Sequence, residues 1–577
     1  MTSYKAATIQ FEPTLYQKES NITGLLERVR EAAVAGARLI VTPEMGTTGY
    51  CWYDRQEVTP FVETIPGPTT DRFQAVAHEF DTYIVIGMPE VDAASGLYYN
   101  TAVLIGPDGV IGTHRKSHPY ISEPKWAASG DIAHAVFDTG IGRIAMLVCM
   151  DLHFFETARL EALAGADVIC HISNWLQERA PAPYWINRAF ENACYVIESN
   201  RWGLERTVQF SGGSCIIEPD GTVAAAIDNG DGIAYATIDL ERARRREVLG
   251  EPIFAGRRPA LYMDLMTNSY TWNPGAYFKL YGYQPIPPGR LSRAGVVQFT
   301  PTDDVLANLG AIETRARAMM SAEKPDLIVF PELALTGLGD PAARAETLTG
   351  PAVARLVALA MRLRVYIVVG LAERDGDVCF NASILVGPEG LVGSYRKIHL
   401  GAADKSWAMA GADWKIFDLP IGRVGMLIGH DALYPEAARV LSLRGCDLIA
   451  CPAAIAGKFT GAHAGTRVRH NYPIPTGADP CHWHAMRVRG GENNVYFAFA
   501  NVLDAKHGFD GKSAVFGPDS FVFPREESAV LDDDGFVTAA IDTTNLNTAY
   551  PTNIVRHKDL MVMRLPHHYP ALIKSHS

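Results

Sequence analysis

The residue best placed to do chemistry is a cysteine in IGRIAMLVCMDLHFFE, Ile141 to Glu156, with an acid two positions beyond it. Cys149 can act as a nucleophile and Asp151 as an acid or acceptor, provided the backbone presents them. Ile144, Met146 and Val148 alternate with Ala145 and Leu147, which reads as a buried strand whose last residues emerge at Cys149 and Asp151. A helix is expected from near Phe155 through Ala158, Leu160 and Leu163. Such a strand-to-helix corner exposes a nucleophile beside backbone N–H groups. A cysteine in an apolar strand is by itself more often inert packing, so the rest of the chain has to decide.

With 577 residues, 48% hydrophobic and 20% charged, the chain has the composition of a soluble globular protein and is too long for one core, so two domains are expected. A net charge of −12 and no clustered Lys/Arg run argue against nucleic-acid or anionic-membrane partners and for small molecules. The start, MTSYKAATIQFEP, has no apolar signal core, and no run approaches the roughly 18 apolar residues a bilayer needs, so the cytoplasm is the default location. Nine scattered cysteines with no close pairs form neither a disulfide framework nor a zinc motif, and are read as reduced thiols.

Internal repetition is extensive. RLIVTPEMGTTGY returns as DLIVFPELALTGL, NTAVLIGPDGVIGTHRKSH as NASILVGPEGLVGSYRKIH, and IGRIAMLVCMD as IGRVGMLIGHD. The offset is 288 between Glu44 and Glu332, 281 between Lys116 and Lys397, and 280 between Cys149 and Gly429. Matches in one order at nearly one offset mean a duplicated domain, too long to be a solenoid unit.

Within the first copy, Tyr4 to Gln10 reads as a strand. Asn21 is the expected N-cap of an amphipathic helix carrying Leu25, Leu26 and Val29, which stops near Gly36. Leu39 to Val41 and Tyr83 to Ile86 read as buried strands, and Gly106-Pro107-Asp108-Gly109 as the turn of a hairpin. Strands alternating with helices and hairpins place the chain in the α/β class, a layered sheet with helices outside.

Glu44 in TPE, Lys116 in HRK and Cys149 in LVCMD, in that order and spacing, together with RAFEN, ESNRWG and FSGGS, resemble the nitrilase superfamily of carbon–nitrogen hydrolases. The resemblance covers about 4 to 239 and 293 to 542. It implies two αββα sandwich domains in tandem, able to pair as an internal pseudo-dimer, with higher homo-oligomers open. The domains are drawn as 4–265 (core 4–239 plus a tail), a packed aromatic connector 266–292, and 293–577 (core 293–542 plus a tail).

The chemistry is consistent with that likeness. A thiol near its ordinary pKa is mostly protonated at neutral pH and needs a base or a positive charge. Glu44 can supply the base and Lys116 the charge, and residues after parallel strands converge on one sheet edge. The resemblance implies that Glu44 takes the thiol proton, Cys149 attacks the substrate carbon, and Lys116 with the Met150 N–H holds the oxyanion, without metal or organic cofactor. It also places a second glutamate, Glu123, seven residues before Gly130, to position Lys116. Asp151, Asn174 and Trp175 are expected to bind substrate, although Asp151 also fits a purely local role at the corner. Tyr50, Trp52 and Tyr53 are read as pocket aromatics.

The second copy keeps Glu332 and Lys397, has Asp404 for Glu123, and carries Gly429 in place of the nucleophile. It is read as a degenerate site, its charges either structural or binding a small ligand without turnover. It also holds 21 extra residues within 455–480, expected to pack over the neighbouring domain and narrow the Cys149 pocket. Met150-Asp151 after the cysteine resembles the amidase and carbamoylase branches, so a small-molecule amide substrate is expected. A nitrile substrate and a non-catalytic binding or regulatory protein are the alternatives.

Overall fold

The computed structural model describes residues 2–120, 122–131, 133–176, 180–267, 289–463, 479–518, 525–544 and 559–575. They divide into two compact units, Met1–Val248 with Phe459–His484, and Leu249–Lys458 with Ala485–Ser577.

In the first unit the apolar alternation before Cys149 forms the strand Gly142–Val148. It lies parallel to Val168–Ser173, with Met146 opposite Cys170, and Val168–Ser173 lies parallel to Tyr195–Asn200. A second six-stranded sheet holds Ser3–Gln10, Leu39–Val41 and Tyr83–Val91 in parallel, with Ile40 opposite both Ala7 and Ile84. The hairpin Tyr98–Gly106 and Gly109–Arg115 extends that sheet in antiparallel register. The sheets meet face to face, where the Thr8 hydroxyl donates to the Glu198 carbonyl (2.6 Å) and the Ser199 hydroxyl to the Ile9 carbonyl (2.6 Å). Helices Lys18–Val34 and Pro68–Phe80 cover one outer face by burying Ile22, Leu25, Val29, Phe73 and Val76 on Ile9, Ile40 and Ile84, each worth about 1.5–3 kcal/mol. Helices Phe155–Leu163 and Pro183–Asn192 belong to the other sheet, giving the αββα order expected.

One local expectation fails. The first helix begins at Lys18, and Asn21 sits inside it, where its side chain accepts from the Thr14 N–H (2.9 Å) and donates to the Thr14 carbonyl (2.8 Å). A buried amide gains more by closing the preceding loop on both sides than by capping one N–H.

The second unit repeats the plan, with Leu291–Gln298, Leu327–Val329 and Tyr366–Asp375 in one sheet and Gly422–Met426, Leu448–Ala453 and Tyr496–Asn501 in the other. Residues 249–265, read as the first copy's tail, lie in this unit. The Arg257 guanidinium donates to buried Glu436 (2.9 Å), the Tyr262 hydroxyl meets His399 Nε2 (2.6 Å), and the Trp414 indole donates to the Leu261 carbonyl (2.8 Å). The tail goes where its arginine and tyrosine find buried partners. Its echo near the C-terminus is structural too, since the Tyr262 and Tyr569 hydroxyls each accept a backbone N–H from four residues earlier. Most of the connector, 268–288, lies outside the described residues.

So does 464–478 of the insertion. Its flanks, Thr460–His463 and Asp479–His484, pair as a ribbon within the first unit. His482 Nε2 lies 3.0 Å from the Pro181 carbonyl, and fully buried Trp483 meets the Phe190 ring at 5.3 Å.

Candidate active site

Glu44 follows the strand Leu39–Val41 and is fully buried. Gly87, on the adjacent strand, backs directly against it: a Cβ there would fall 2.6 Å from the Pro43 carbonyl oxygen and 2.7 Å from Glu44 Cα. Lys116 leaves the hairpin with its N–H on the Asn100 carbonyl (2.8 Å). Its Nζ donates to Glu44 Oε1 (2.8 Å) and to Glu123 Oε2 (2.6 Å). The Asn100 amide ties the same carboxylates together, donating to Glu44 Oε1 and Glu123 Oε1 at 2.6 Å each. Tyr50, through its hydroxyl (3.1 Å), and Tyr120, through its backbone N–H (2.7 Å), also donate to Glu123 Oε2. Of the four carboxylate oxygens, only Glu44 Oε2 has no hydrogen-bond partner among the described residues, and the Asn100 side-chain oxygen has none either.

Burial pushes the Glu44 carboxyl up, Lys116 opposes this, and Glu123 adds to it; the result is a pKa above the ordinary glutamate value. Burial alone would lower the Lys116 pKa, but the carboxylates of Glu123 and Glu44 outweigh it and hold the ammonium charged.

Cys149 stands at the corner with φ +46°, in the left-handed region that only an over-determined backbone holds for a non-glycine residue. The bracing is visible. His171 Nε2 donates to the Cys149 carbonyl (3.0 Å), and its Nδ1 is bonded to Glu198. With both ring nitrogens facing acceptors, the imidazole pKa is raised despite burial. Burial and then the Glu44 charge push the thiol well up, while Lys116 and the Asn174 N–H, which is hydrogen-bonded to the sulfur, work the other way.

The remaining expected residues divide. The Asn174 side chain is 99% buried, and neither its oxygen nor its nitrogen has a hydrogen-bond partner among the described residues. Met150 is buried at the corner, and Trp175 stacks on His153 at 4.5 Å. Asp151, expected at the substrate, is fully occupied otherwise. It accepts from His114 Nε2 (2.8 Å), His118 Nδ1 (2.9 Å) and the N–H groups of Ser117, His118 and Val148. Its carboxylate fastens the Lys116 segment to the nucleophile corner, and the two histidine bonds hold its pKa well below the usual range against burial. Of the pocket aromatics, Tyr50 reaches the site, Trp52 packs on Phe61 (4.9 Å), and Tyr53 is 68% exposed.

Asn100, His171 and Glu198 were missed. Asn100 left a signal, because NTAVLIG and NASILVG carry the same asparagine at the offset of the lysine. His171 and Glu198 left none, since they meet only through parallel pairing of their strands.

The second unit keeps the carboxylate cage. Lys397 Nζ donates to Glu332 Oε1 and Asp404 Oδ2 at 2.6 Å each, and Asn381 bridges the same two acids. Gly429 retains the left-handed φ of +43°. Its missing side chain has been filled: Glu332 Oε2 occupies the space, 2.2 Å from where a Cβ would stand, and takes the Ala454 N–H at 2.8 Å. Ala454 corresponds to Asn174, whose N–H faces the sulfur in the first copy. Cys451 and Phe499 stand where His171 and Glu198 pair. A cavity of about 670 Å³ persists beside Gly429, lined by Glu332, Lys397, Asp404, Trp407 and His430. Burial and then Lys397 hold His430 neutral, its pKa lowered to about 3.

The carbon-nitrogen hydrolase profile matches residues 5–247 and again 293–552. A "Nitrilase" of Pyrococcus abyssi is 36% identical over 261 residues, covering 45% of this chain and 98% of its own. The human "Omega-amidase NIT2" is 30% identical over 278 residues, with the same coverage. Among solved structures, a carbon-nitrogen hydrolase from Helicobacter pylori G27 is 25% identical, covering 46% of this chain and 98% of its own at a TM-score of 0.42.

Proposed function

Because this chain belongs to the carbon-nitrogen hydrolase family, by profile matches that span both of its copies, we propose that it is a cysteine-dependent amidohydrolase. It cleaves a small-molecule amide or carbamoyl bond to give an acid and ammonia or an amine. The observation that carries this reading is the one carboxylate oxygen of the cage without a hydrogen-bond partner among the described residues, Glu44 Oε2, in the site whose charges act on the Cys149 thiol.

In the resting site the thiol keeps its proton, so Glu44 acts as the general base during attack rather than forming a stable ion pair beforehand. Glu44 takes the Sγ proton as the S–C bond forms and the carbonyl π electrons move onto oxygen. Two of the three Lys116 protons are held by carboxylates, which leaves the third for that oxygen beside the Met150 N–H. One such donor is worth roughly 3–4 kcal/mol in a dry site. Collapse of the oxyanion expels the amine, which leaves with the proton from Glu44. A water deprotonated by Glu44 then opens the thioester, releasing the acid and restoring the thiol. Asn174, buried with a donor and an acceptor unspent, matches the polar end of an amide substrate. Glu123 positions Lys116.

The second copy is read as catalytically silent, since its general base fills the nucleophile's place. A nitrile substrate is the second reading, favoured by the name of the Pyrococcus abyssi relative.

The test is intact mass with ammonia monitoring on pooled amides, carbamoyl compounds and nitriles, using wild type, Cys149→Ala and Glu44→Gln. Ammonia from wild type and little or none from Cys149→Ala and Glu44→Gln, with an acyl adduct seen on acid-quenched wild type and absent from Cys149→Ala, is the expected result. Turnover surviving Cys149→Ala would sink the mechanism, and neither turnover nor adduct would favour a binding protein.

A further inference from the structure

Behind the nucleophile corner lies a group of ionisable side chains for which the reaction has no use. His114 is the penultimate residue of the hairpin strand Gly109–Arg115, His134 precedes the strand Val136–Thr139, and Glu161 lies on the helix Phe155–Leu163. One potential ligand atom from each lies within 4.8 Å of the others. Glu161 is fully buried, and neither of its carboxylate oxygens has a hydrogen-bond partner among the described residues. A carboxylate removed from water without compensation is among the costliest groups a fold can carry. The second copy shows that the fold does not require it: Leu441 occupies the corresponding position, and Tyr395, in place of His114, donates to Asp431 at 2.7 Å.

From this cluster we infer that His114, His134 and Glu161 bind a divalent cation of the zinc class. Two imidazoles and one carboxylate from three separate elements are a donor set that suits such an ion, with a fourth position left for water. Ser117 Oγ lies 3.4 Å from His134 Nε2, while His134 Nδ1 lies 4.0 Å from Glu161 Oε1 and is the nitrogen that faces the cluster. His114 Nε2 is engaged by Asp151 at 2.8 Å, which leaves Nδ1 for the ion and makes Asp151 the outer carboxylate that orients a ligating histidine. Bonds of 2.0–2.1 Å in a tetrahedron place ligand atoms about 3.4 Å apart, so closing the site takes side-chain movements on the order of an ångström. The ion is structural. It ties the strand that delivers Lys116 to the helix that follows Cys149, and it is separate from the metal-independent chemistry expected at the thiol.

The test uses the full chain, stripped with chelator, re-exposed to zinc and freed of excess, with metal measured by mass spectrometry and cobalt substituted for its visible spectrum. Wild type should retain about one equivalent more than Glu161→Leu, and Glu161→Gln should weaken binding at least about tenfold. Chelator should lower the melting temperature of wild type and leave Glu161→Leu unmoved. His134→Ala should behave as Glu161→Gln does, which guards against a folding defect in one variant. Equal metal in wild type and Glu161→Leu would overturn the proposal. So would a wild type whose melting temperature ignores chelator, or a Glu161→Leu form more stable than zinc-saturated wild type.

Discussion

At the scale of single residues, the proposed chemistry rests on where one proton sits. Glu44 is pushed up by burial, with Lys116 opposing, so kcat/KM should fall on the acid side with a midpoint above about 4.3, the ordinary glutamate value. The thiol is raised as well, so no alkaline decline is expected below about pH 8.5. A pH–rate profile whose acid limb lies at or below the ordinary carboxylate value would contradict the role given to Glu44. The second copy offers the converse experiment. Because Glu332 fills the space beside Gly429, Gly429→Cys in a Cys149→Ala background should give no turnover. It should cost about 1–3 kcal/mol of stability in urea titration, as overpacking does.

At the scale of elements, the site is an intersection of strand ends held at fixed separations. Gly87 lets the strand Tyr83–Val91 touch the backbone of Glu44, and Gly370 does the same for Glu332. Gly87→Ala should therefore displace the base by about an ångström and lower kcat on the order of a hundredfold while the protein stays folded. Steady-state kinetics alongside circular dichroism would check it, and an unaltered kcat would show that the close approach is not what places Glu44. Asp151 does comparable work between elements. Its five hydrogen bonds join the Lys116 segment to the corner, which explains why an acid two residues after the cysteine has its carboxylate turned away from the site.

At the scale of the whole molecule, the two copies in the sequence and the two compact units have different borders. Trp483 belongs to the second copy's sequence yet is buried in the first unit, on Phe190 and against Gly221, where a Cβ would meet the indole at 2.6 Å. Trp483→Ala should destabilise that unit by roughly 3–5 kcal/mol, the usual cost of emptying a tryptophan site. Differential hydrogen exchange, with protection lost around Pro183–Asn192, would check it. Protection unchanged there would mean that the ribbon contributes little. Whether 464–478 narrows the Cys149 pocket is tested separately, by deleting it and comparing substrate preference.

The sequence by itself determined the duplication, the α/β class, the order and spacing of Glu44, Lys116, Glu123 and Cys149, and the glycine at 429 where the first copy has its cysteine. Each is a matter of residue type and order along the chain, and repeated motifs make order visible. The tertiary structure alone decided what long-range pairing decides. The Asp151 carboxylate is taken up because His114, from the strand Gly109–Arg115, and His118, from the segment after it, both reach it, and His171 and Glu198 became the brace of Cys149 through strand register. Residues 249–265 joined the second unit because Glu436 and His399 are buried there. The Glu332 carboxylate moved into the room left by a missing side chain, and a sequence records the absent atom without recording what fills its place.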